Sequence, residues 1–208
     1  MDPKGGAAVL KITLYKFLVV RHPIARFFSA YHLKFKNRKK RHVPITGDEL
    51  LLTSGVPRNY LDRYHSVSPN SSETGNTAKR RYSISKIDLI NAIYDFPDTF
   101  NTHFKPQVVQ CEVCRFLYDY IIRVEDMKSD ASSFLDLVGI TDAGIRDSLI
   151  VGRNRGVEDD SEALTVKNDK MMSEFMEMPE EVKNKFFEVY KDDFELFGYD
   201  KFSVGYKE

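Results

Sequence analysis

The first clear pattern along the chain is an apolar run that gives way to helical spacing. Leu14 to Arg21 (LYKFLVVR) is rich in aliphatic residues and bounded by a charge, which predicts a buried strand. His22-Pro23 follows, and Pro23 suits the first position of a helix because its missing N–H would be unpaired there. Apolar side chains then recur at helical spacing, at Ile24, Phe27, Phe28, Tyr31 and Phe35.

A second strand-and-helix pair is predicted later in the chain. Leu117 to Val124 (LYDYIIRV) is the strand candidate. Asp130 to Val138 predicts a helix with Phe134, Leu135 and Val138 facing inward and Gly139 after it. Two strands, each followed by a helix, favour an α/β fold with a parallel sheet.

Two further helices are predicted from apolar positions. Ser85 to Phe96 has Ile87, Ile90 and Ile93 at helical spacing. Pro179 begins the last helix, and Gly198 ends it. One face of this last helix is apolar and carries Val182, Phe186, Val189, Tyr190, Phe194 and Phe197.

Polar stretches separate these elements. Ser66 to Thr77 is predicted to be a mobile surface loop, and Arg153 to Asp169 is predicted to be irregular. The length of 208 residues fits a single domain over residues 1–208, with the polar loop at about 66–80.

Charge and hydropathy exclude some classes of partner. The formal net charge is zero, so a general nucleic-acid coating role is excluded and no nucleic-acid partner is expected. No run of 18 or more apolar residues exists, so no membrane span is predicted in this chain. The first twenty residues lack the basic start and the cleavage site of a signal peptide. The protein is therefore either cytosolic, or its targeting segment is absent from this chain.

The two cysteines, Cys111 and Cys114, form a single C-x-x-C pair. Such a pair can be a redox couple, half of a zinc site or a local disulfide. No second pair follows, so no metal is expected, and a structural disulfide or two ordinary thiols is favoured.

Candidate chemistry lies in the segment Arg21 to Tyr31 (RHPIARFFSAY). Arg21 ends the first strand, at the sheet edge where open α/β folds bind ligands, and its guanidinium can grip a phosphate through two parallel hydrogen bonds. The Ser29 hydroxyl can donate to the same anion, and Arg26 shares a helix face with Ser29. On spacing alone, an ion-paired arginine and an unremarkable serine remain the alternative.

This segment resembles the 3′-phosphate-binding motif R-x-P-x-x-R-x-x-S-A-Y of the Golgi carbohydrate sulfotransferases, the family that includes the chondroitin and dermatan 4-O-sulfotransferases. Family members usually have Asp at the position of His22. Two later stretches are similar in order and spacing. His103 to Val124 resembles the family's H-x-x-P-Q…C-x-x-C…Y-D-x-I segment, followed by Glu125. Tyr190 to Tyr199 resembles its terminal Y-x-x-D-F-x-x-F-x-Y.

The resemblance implies a P-loop-like sulfotransferase fold, with a parallel sheet flanked by helices. It also implies that Arg21 and Ser29 hold the 3′-phosphate of the sulfate donor, 3′-phosphoadenosine 5′-phosphosulfate (PAPS). Arg153 and Arg155 are further candidates for this phosphate, on a late basic loop. His103 is the candidate general base, with a structural or exposed histidine as its alternative; His22 is more typical of an exposed turn residue.

A basic run is the candidate site for an acidic glycan, with a solvated charged loop as the alternative. Its residues are Lys36, Arg38, Lys39, Lys40 and Arg41. The two cysteines of the C-x-x-C pair match the family's cysteine pair, and the resemblance implies a disulfide in an oxidising lumen.

The predicted function is transfer of a sulfuryl group from PAPS to a glycan hydroxyl, in proteoglycan biosynthesis at the Golgi membrane or lumen. The family also needs an upstream loop with Lys and Ser/Thr for the 5′-phosphosulfate, which the residues before Arg21 do not provide. The fold is therefore expected to be incomplete on its N-terminal side. The alternative is a non-catalytic, truncated relative that binds nucleotide or glycan without turnover; a kinase-like protein ranks last, since no Walker-type loop is present.

Overall fold

The structure is a computed structural model that describes residues 14–36, 66–67, 81–82, 84–97, 101–150 and 161–203. Its strands are β1 (Phe17–Val20), β2 (Ser66–Val67), β3 (Arg81–Tyr82) and β4 (Tyr120–Arg123). Its helices are α1 (Pro23–Tyr31), α2 (Lys86–Asp95), α3 (Gln107–Gln110), α4 (Met127–Leu137), α5 (Ala143–Ile150), α6 (Ser161–Met176), α7 (Glu180–Val189) and α8 (Lys191–Leu196). A π-helical turn, His32–Lys36, continues α1. The described fold is helix-rich α/β.

The parallel sheet is confirmed, and it is formed by β1 and β4. Phe17 lies opposite Tyr120 and Val20 lies opposite Arg123. Both strands are shorter than predicted, because pairing begins only where the Asp119 N–H donates to the Lys16 carbonyl at 2.7 Å. The residues before that point extend into solvent, and Leu14 is 80% exposed.

Helix α1 begins at Pro23, as the sequence predicts, and it forms the centre of the core. Its buried apolar side chains include Ile24, Phe27, Phe28 and Tyr31. Phe27 packs edge-to-face against Phe104 and against Phe186 of α7, with ring centroids 5.9 and 5.5 Å apart. The side chain of Phe35 lies outside the described residues. This packing fixes α1 between the 101–110 segment and the C-terminal helices.

The predicted last helix is two helices, α7 and α8, which meet at Tyr190. The apolar face nevertheless continues across this junction, since Phe186, Tyr190, Phe194 and Phe197 are all buried. Gly198 ends the segment at φ +71°, a left-handed conformation that favours glycine. Gly139 follows α4 with φ +76° and serves the same purpose.

The structure corrects several predicted details. On α2 the inward residues are Leu89, Ile90 and Ile93, whereas Ile87 is 36% exposed. Part of the stretch predicted to be irregular is α6, and among its residues 166–176 the buried apolar ones are Met171, Met172 and Phe175. Apolar residues are few in the first ten positions of this helix, and Val166 among them is 63% exposed, so the helical period is weak there.

Helices α4 and α5 and strands β2 and β3 also differ from prediction. Helix α5 was not predicted, and α4 begins at Met127 rather than Asp130. Strands β2 and β3 pair antiparallel at the two ends of the predicted polar loop, with Ser66 opposite Tyr82. The residues between these strands lie outside the described part of the chain. Across the described ranges, no helix combines the length and apolar character needed to cross a bilayer.

Candidate anion-binding groove

An open groove of about 360 Å³ lies beside the carboxyl end of β1. Its strand–helix wall consists of Arg21, Arg26, Ser29, Ala30 and Leu33, and its turn wall consists of Thr102, His103 and Gln110. The groove therefore brings together three residues that the sequence predicts to be functional: Arg21, Ser29 and His103. Their roles stay predictions, but their placement on one surface is a property of the fold.

The backbone of Arg21 is held in place by the side chain of Gln107. The Gln107 side chain accepts from the Arg21 N–H at 3.0 Å and donates to the Arg21 carbonyl at 2.8 Å. This amide satisfies both backbone groups of the residue directly after β1, as a neighbouring strand would. Gln107 is buried, so the position of Arg21 is set by the core.

The Arg21 guanidinium is only partly satisfied by protein groups. One terminal nitrogen donates to Asn168 Oδ1 of α6 at 3.1 Å. Its Nε is buried and has no hydrogen-bond partner within the described residues. Burial lowers the pKa of Arg21 below its ordinary value, whereas Glu125 and Tyr199 act in the opposite direction. A half-buried cation whose guanidinium is only partly paired is a good site for an anion.

Arg26 spans the groove and holds the turn wall against α1. One terminal nitrogen donates to the Lys105 carbonyl at 2.6 Å. The other donates to the Thr102 carbonyl and to Gln110 Oε1, both at 2.9 Å. The planar fork of arginine suits several acceptors at once, so Arg26 works as a clamp on the segment that carries His103.

His103 lies on the turn wall and is half-buried. Its backbone N–H donates to Asn101 Oδ1 at 3.0 Å, and its Nδ1 lies 2.6 Å from the same oxygen. Burial lowers the pKa of His103, and the positive charges of Lys34 and Arg26 lower it further. Both effects favour the neutral imidazole, which is the form of histidine that can accept a proton.

The segment behind the turn wall is anchored by the C-terminal helices. Asp193 is fully buried, and its two carboxylate oxygens accept from the N–H groups of Gln107 and Val108, both at 2.8 Å. Burial raises the pKa of this carboxyl, and the two backbone N–H donors oppose the rise. Tyr190 donates to the Phe104 carbonyl at 2.6 Å.

His22 is not the exposed turn residue that the sequence predicts: it is 0% exposed. Its Nε2 lies 2.8 Å from the Asp200 carbonyl, and its ring contacts Phe194 and Tyr199 edge-on. Glu125 accepts from the His22 backbone N–H at 2.9 Å and from the Tyr199 hydroxyl at 3.1 Å. His22 is buried because the C-terminal segment folds over it, which local sequence does not reveal.

Sequence reasoning missed the supporting residues of the groove, although signals for some were present. Gln107 lies within H-x-x-P-Q, and Tyr190 and Asp193 lie within Y-x-x-D-F. Asp193 accepts from the Gln107 N–H, and Tyr190 donates to the carbonyl of Phe104 in the first motif. The presence of both motifs in one chain therefore predicts these supporting contacts. Asn101 and Asn168 had no comparable signal.

Several predicted residues lie outside the described part of the chain. They are Arg38, Lys39, Lys40, Arg41, Arg153 and Arg155, together with the side chain of Lys36. Cys111 and Cys114 are described, and both are free thiols. Within the described ranges, no group of three or more His, Cys, Asp or Glu side chains is arranged to hold a metal ion.

Comparison with known proteins yields a family match. A family model described as the sulfotransferase family matches residues 1–200. No solved structure matches the chain at a significant level.

Curated relatives match at low identity. The chain is 30% identical to carbohydrate sulfotransferase 14 of Danio rerio over 129 residues, which is 60% of this chain and 30% of that protein. It is 26% identical to carbohydrate sulfotransferase 12 of Mus musculus over 195 residues, which is 89% of this chain and 40% of that protein. The matched region thus spans less than half the length of these relatives.

Proposed function

Because this chain belongs to the sulfotransferase family, we propose that it binds PAPS and transfers the sulfuryl group to a hydroxyl of a glycan. The observation that carries the proposal is that Arg21, Ser29 and His103 line one groove. The names of the relatives, carbohydrate sulfotransferases 14 and 12, support a carbohydrate acceptor.

In this proposal Arg21 and Ser29 bind the 3′-phosphate of the donor. Within the described residues the Arg21 side chain donates only to Asn168, so the remaining N–H groups of this groove-lining guanidinium can donate to a phosphate oxygen. Ser29 lies on the same wall, one residue before Ala30, and its hydroxyl supplies a second donor. Because Gln107 and Asn168 hold Arg21 in place, little side-chain entropy is lost when the anion binds.

His103 is the proposed general base. It accepts the proton of the acceptor hydroxyl while the hydroxyl oxygen forms a bond to sulfur. The bond between sulfur and the phosphate oxygen breaks, and 3′-phosphoadenosine 5′-phosphate (PAP) leaves with the bonding electrons. Positive charge at the groove stabilises the negative charge of donor and product.

Several wider features follow from the same proposal. The fold is a P-loop-like sulfotransferase fold, and the small parallel sheet of β1 and β4 is compatible with it. The enzyme acts on proteoglycan-type glycans at the Golgi membrane or lumen. The basic run from Lys36 to Arg41, together with Arg153 and Arg155, contacts the anionic substrates.

The contribution of the 3′-phosphate to binding is measured by comparing two nucleotides. PAP and adenosine 5′-phosphate differ only in that group, and their affinities are compared by calorimetry. We expect wild-type protein to prefer PAP, and Arg21→Ala to reduce this preference about 10- to 100-fold. Arg115→Ala is the matched control, because Arg115 is exposed, lies outside the groove and contacts its neighbours Glu112 and Phe116. An undiminished preference in Arg21→Ala would overturn the site assignment.

Transfer itself is measured with labelled PAPS and desulfated chondroitin. Transfer that is lost in Arg21→Ala and in His103→Gln supports the enzyme. Binding of PAP with no transfer to any glycan tested would identify the alternative, a relative that binds nucleotide without turnover.

A further inference from the structure

The contact between Asn101 and His103 determines which nitrogen of the His103 ring carries the proton. One oxygen of Asn101 lies 3.0 Å from the backbone nitrogen of His103 and 2.6 Å from its Nδ1. A backbone N–H can only donate, so the Asn101 atom that faces it must be the carbonyl oxygen and not the amide nitrogen. This orientation of the amide follows from the hydrogen bonding alone.

The same oxygen then determines the tautomer of the ring. A carbonyl oxygen can only accept, so the Nδ1 atom beside it must carry a proton. In a neutral imidazole the second nitrogen, Nε2, then carries the lone pair. His103 lines the groove, and no described residue forms a hydrogen bond with its Nε2, so this lone pair can accept from a substrate hydroxyl.

We propose that Asn101 is a positioning residue that holds His103 in the Nδ1–H tautomer, so that Nε2 is the basic atom of the groove. The proposal rests on the proposed function, in which His103 accepts the hydroxyl proton. It adds a residue, Asn101, and an atom, Nε2, to that function. Asn101 acts through His103 and does not itself contact the substrate.

The clamp formed by Arg26 supports this arrangement. Its bond to the Thr102 carbonyl holds the residue between Asn101 and His103, so the short turn between them is restrained from the opposite wall. The side-chain oxygen of Asn101 can therefore reach both the backbone and the ring of a residue two positions later.

The tautomer can be measured without any donor or acceptor. Long-range ¹H–¹⁵N correlation spectra at about pH 8, where histidine is neutral, distinguish the two tautomers by which nitrogen is protonated. The His103 signals are assigned from their loss in His103→Gln. We expect an Nδ1–H majority in wild-type protein, and an Nε2–H majority there would overturn the proposal.

Two variants of Asn101 and one control sharpen the test. Asn101→Ala removes the acceptor, so we expect the Nδ1–H majority to be lost and transfer to fall about tenfold or more. Asn101→Asp keeps an acceptor oxygen, so the tautomer should be retained, and the added negative charge should shift the pH profile of transfer upward. Asn91→Ala is the control, because the Asn91 side chain lies outside the groove and accepts from Lys185 at 3.0 Å. A tautomer unchanged in Asn101→Ala would also overturn the proposal.

The spectra separate the two possible failures. An Nδ1–H tautomer that depends on Asn101, in a protein that transfers nothing, would contradict the proposed function and leave the positioning role of Asn101 intact. Active protein with an Nε2–H majority would contradict the positioning role alone.

Discussion

The two walls of the groove are built in different ways. The strand–helix wall belongs to the core: α1 is largely buried, and Arg21 is bonded to Gln107 and Asn168. The turn wall carries His103 on a turn that is held by Asn101 and by Arg26 from across the groove. One wall depends on packing, whereas the other depends on a few polar bonds.

This difference indicates that, in the proposed site, the strand–helix wall binds the anion and the turn wall positions the catalytic residue. The proposed anion-binding side must resist movement, because a guanidinium held in one position loses little entropy when an anion binds. The catalytic side needs accurate placement of a single ring, which a small number of hydrogen bonds can supply. We therefore expect mutations behind the strand–helix wall to lower stability and mutations at the turn wall to lower the transfer rate.

The largest effect is expected at Asp193, which links both walls through Gln107. Asp193→Ala would leave two buried N–H donors unpaired, and the free energy of unfolding should fall by about 2–4 kcal/mol. Asp193→Asn keeps one acceptor and should lose about half as much. Urea unfolding measures both variants, with the exposed Asp192→Ala as the control. A stable Asp193→Ala would mean that the walls are not anchored by this residue.

A smaller effect, of about 10- to 100-fold in transfer rate, is expected for Arg26→Lys. Lysine keeps the charge but cannot reach the three acceptors that the arginine fork serves. We expect kcat to fall while the affinity for PAP changes little, because the His103 turn loses its clamp. Steady-state kinetics and calorimetry separate these quantities. A loss of PAP affinity as large as in Arg21→Ala would show that Arg26 binds the donor instead.

The strand–helix wall should also respond to pH through His22. Burial lowers the pKa of His22, so the unfolded chain binds a proton that the folded chain resists. Stability should therefore be present above the ordinary value of about 6.5 and be lost as pH falls towards the lowered folded pKa. One proton changes the free energy of unfolding by at most about 1.4 kcal/mol per pH unit.

Urea unfolding at about pH 7.5 and pH 5.5 measures this loss. His22→Gln can still donate to the Asp200 carbonyl but does not titrate, so it should lose less stability on acidification than wild-type protein. Equal losses in both proteins would assign the pH dependence to other groups.

The smallest effect is expected at Ser29. Ser29→Ala removes one neutral donor from the groove, so PAP affinity should fall by about 1 kcal/mol, or roughly fivefold. The affinity for adenosine 5′-phosphate should not change. Ser148→Ala, on the exposed side of α5, is the control. A loss that is equal for both nucleotides would place Ser29 away from the 3′-phosphate.

Local patterns predicted which helices and strands form the groove, but they predicted the first and last residues of these elements less well. The apolar run before Pro23 and the spacing after it correctly predicted β1 followed by α1. The lengths of β1 and β4 were overestimated, because strand ends depend on where the partner strand begins pairing. Helix α6 was missed because its first ten positions carry few apolar residues and so show little helical periodicity.

Histidine burial shows the same limit at the level of single residues. His22 and His103 are similar in local context, since each lies near a proline and a basic residue. In the folded chain His22 is enclosed by Phe194 and Tyr199, whereas His103 lines the groove. Nothing within a few residues of either histidine distinguishes them.

Local sequence is enough to predict that Arg21 follows an apolar strand and that Ser29 lies on the next helix, because backbone hydrogen bonding and burial act over short, periodic distances. The residues that hold Arg21 and those that face it across the groove depend on tertiary packing. Gln107 and Asn168 lie 86 and 147 residues from Arg21 along the chain, and both reach it through side-chain hydrogen bonds. Such contacts arise when distant segments pack together, and no local pattern records them.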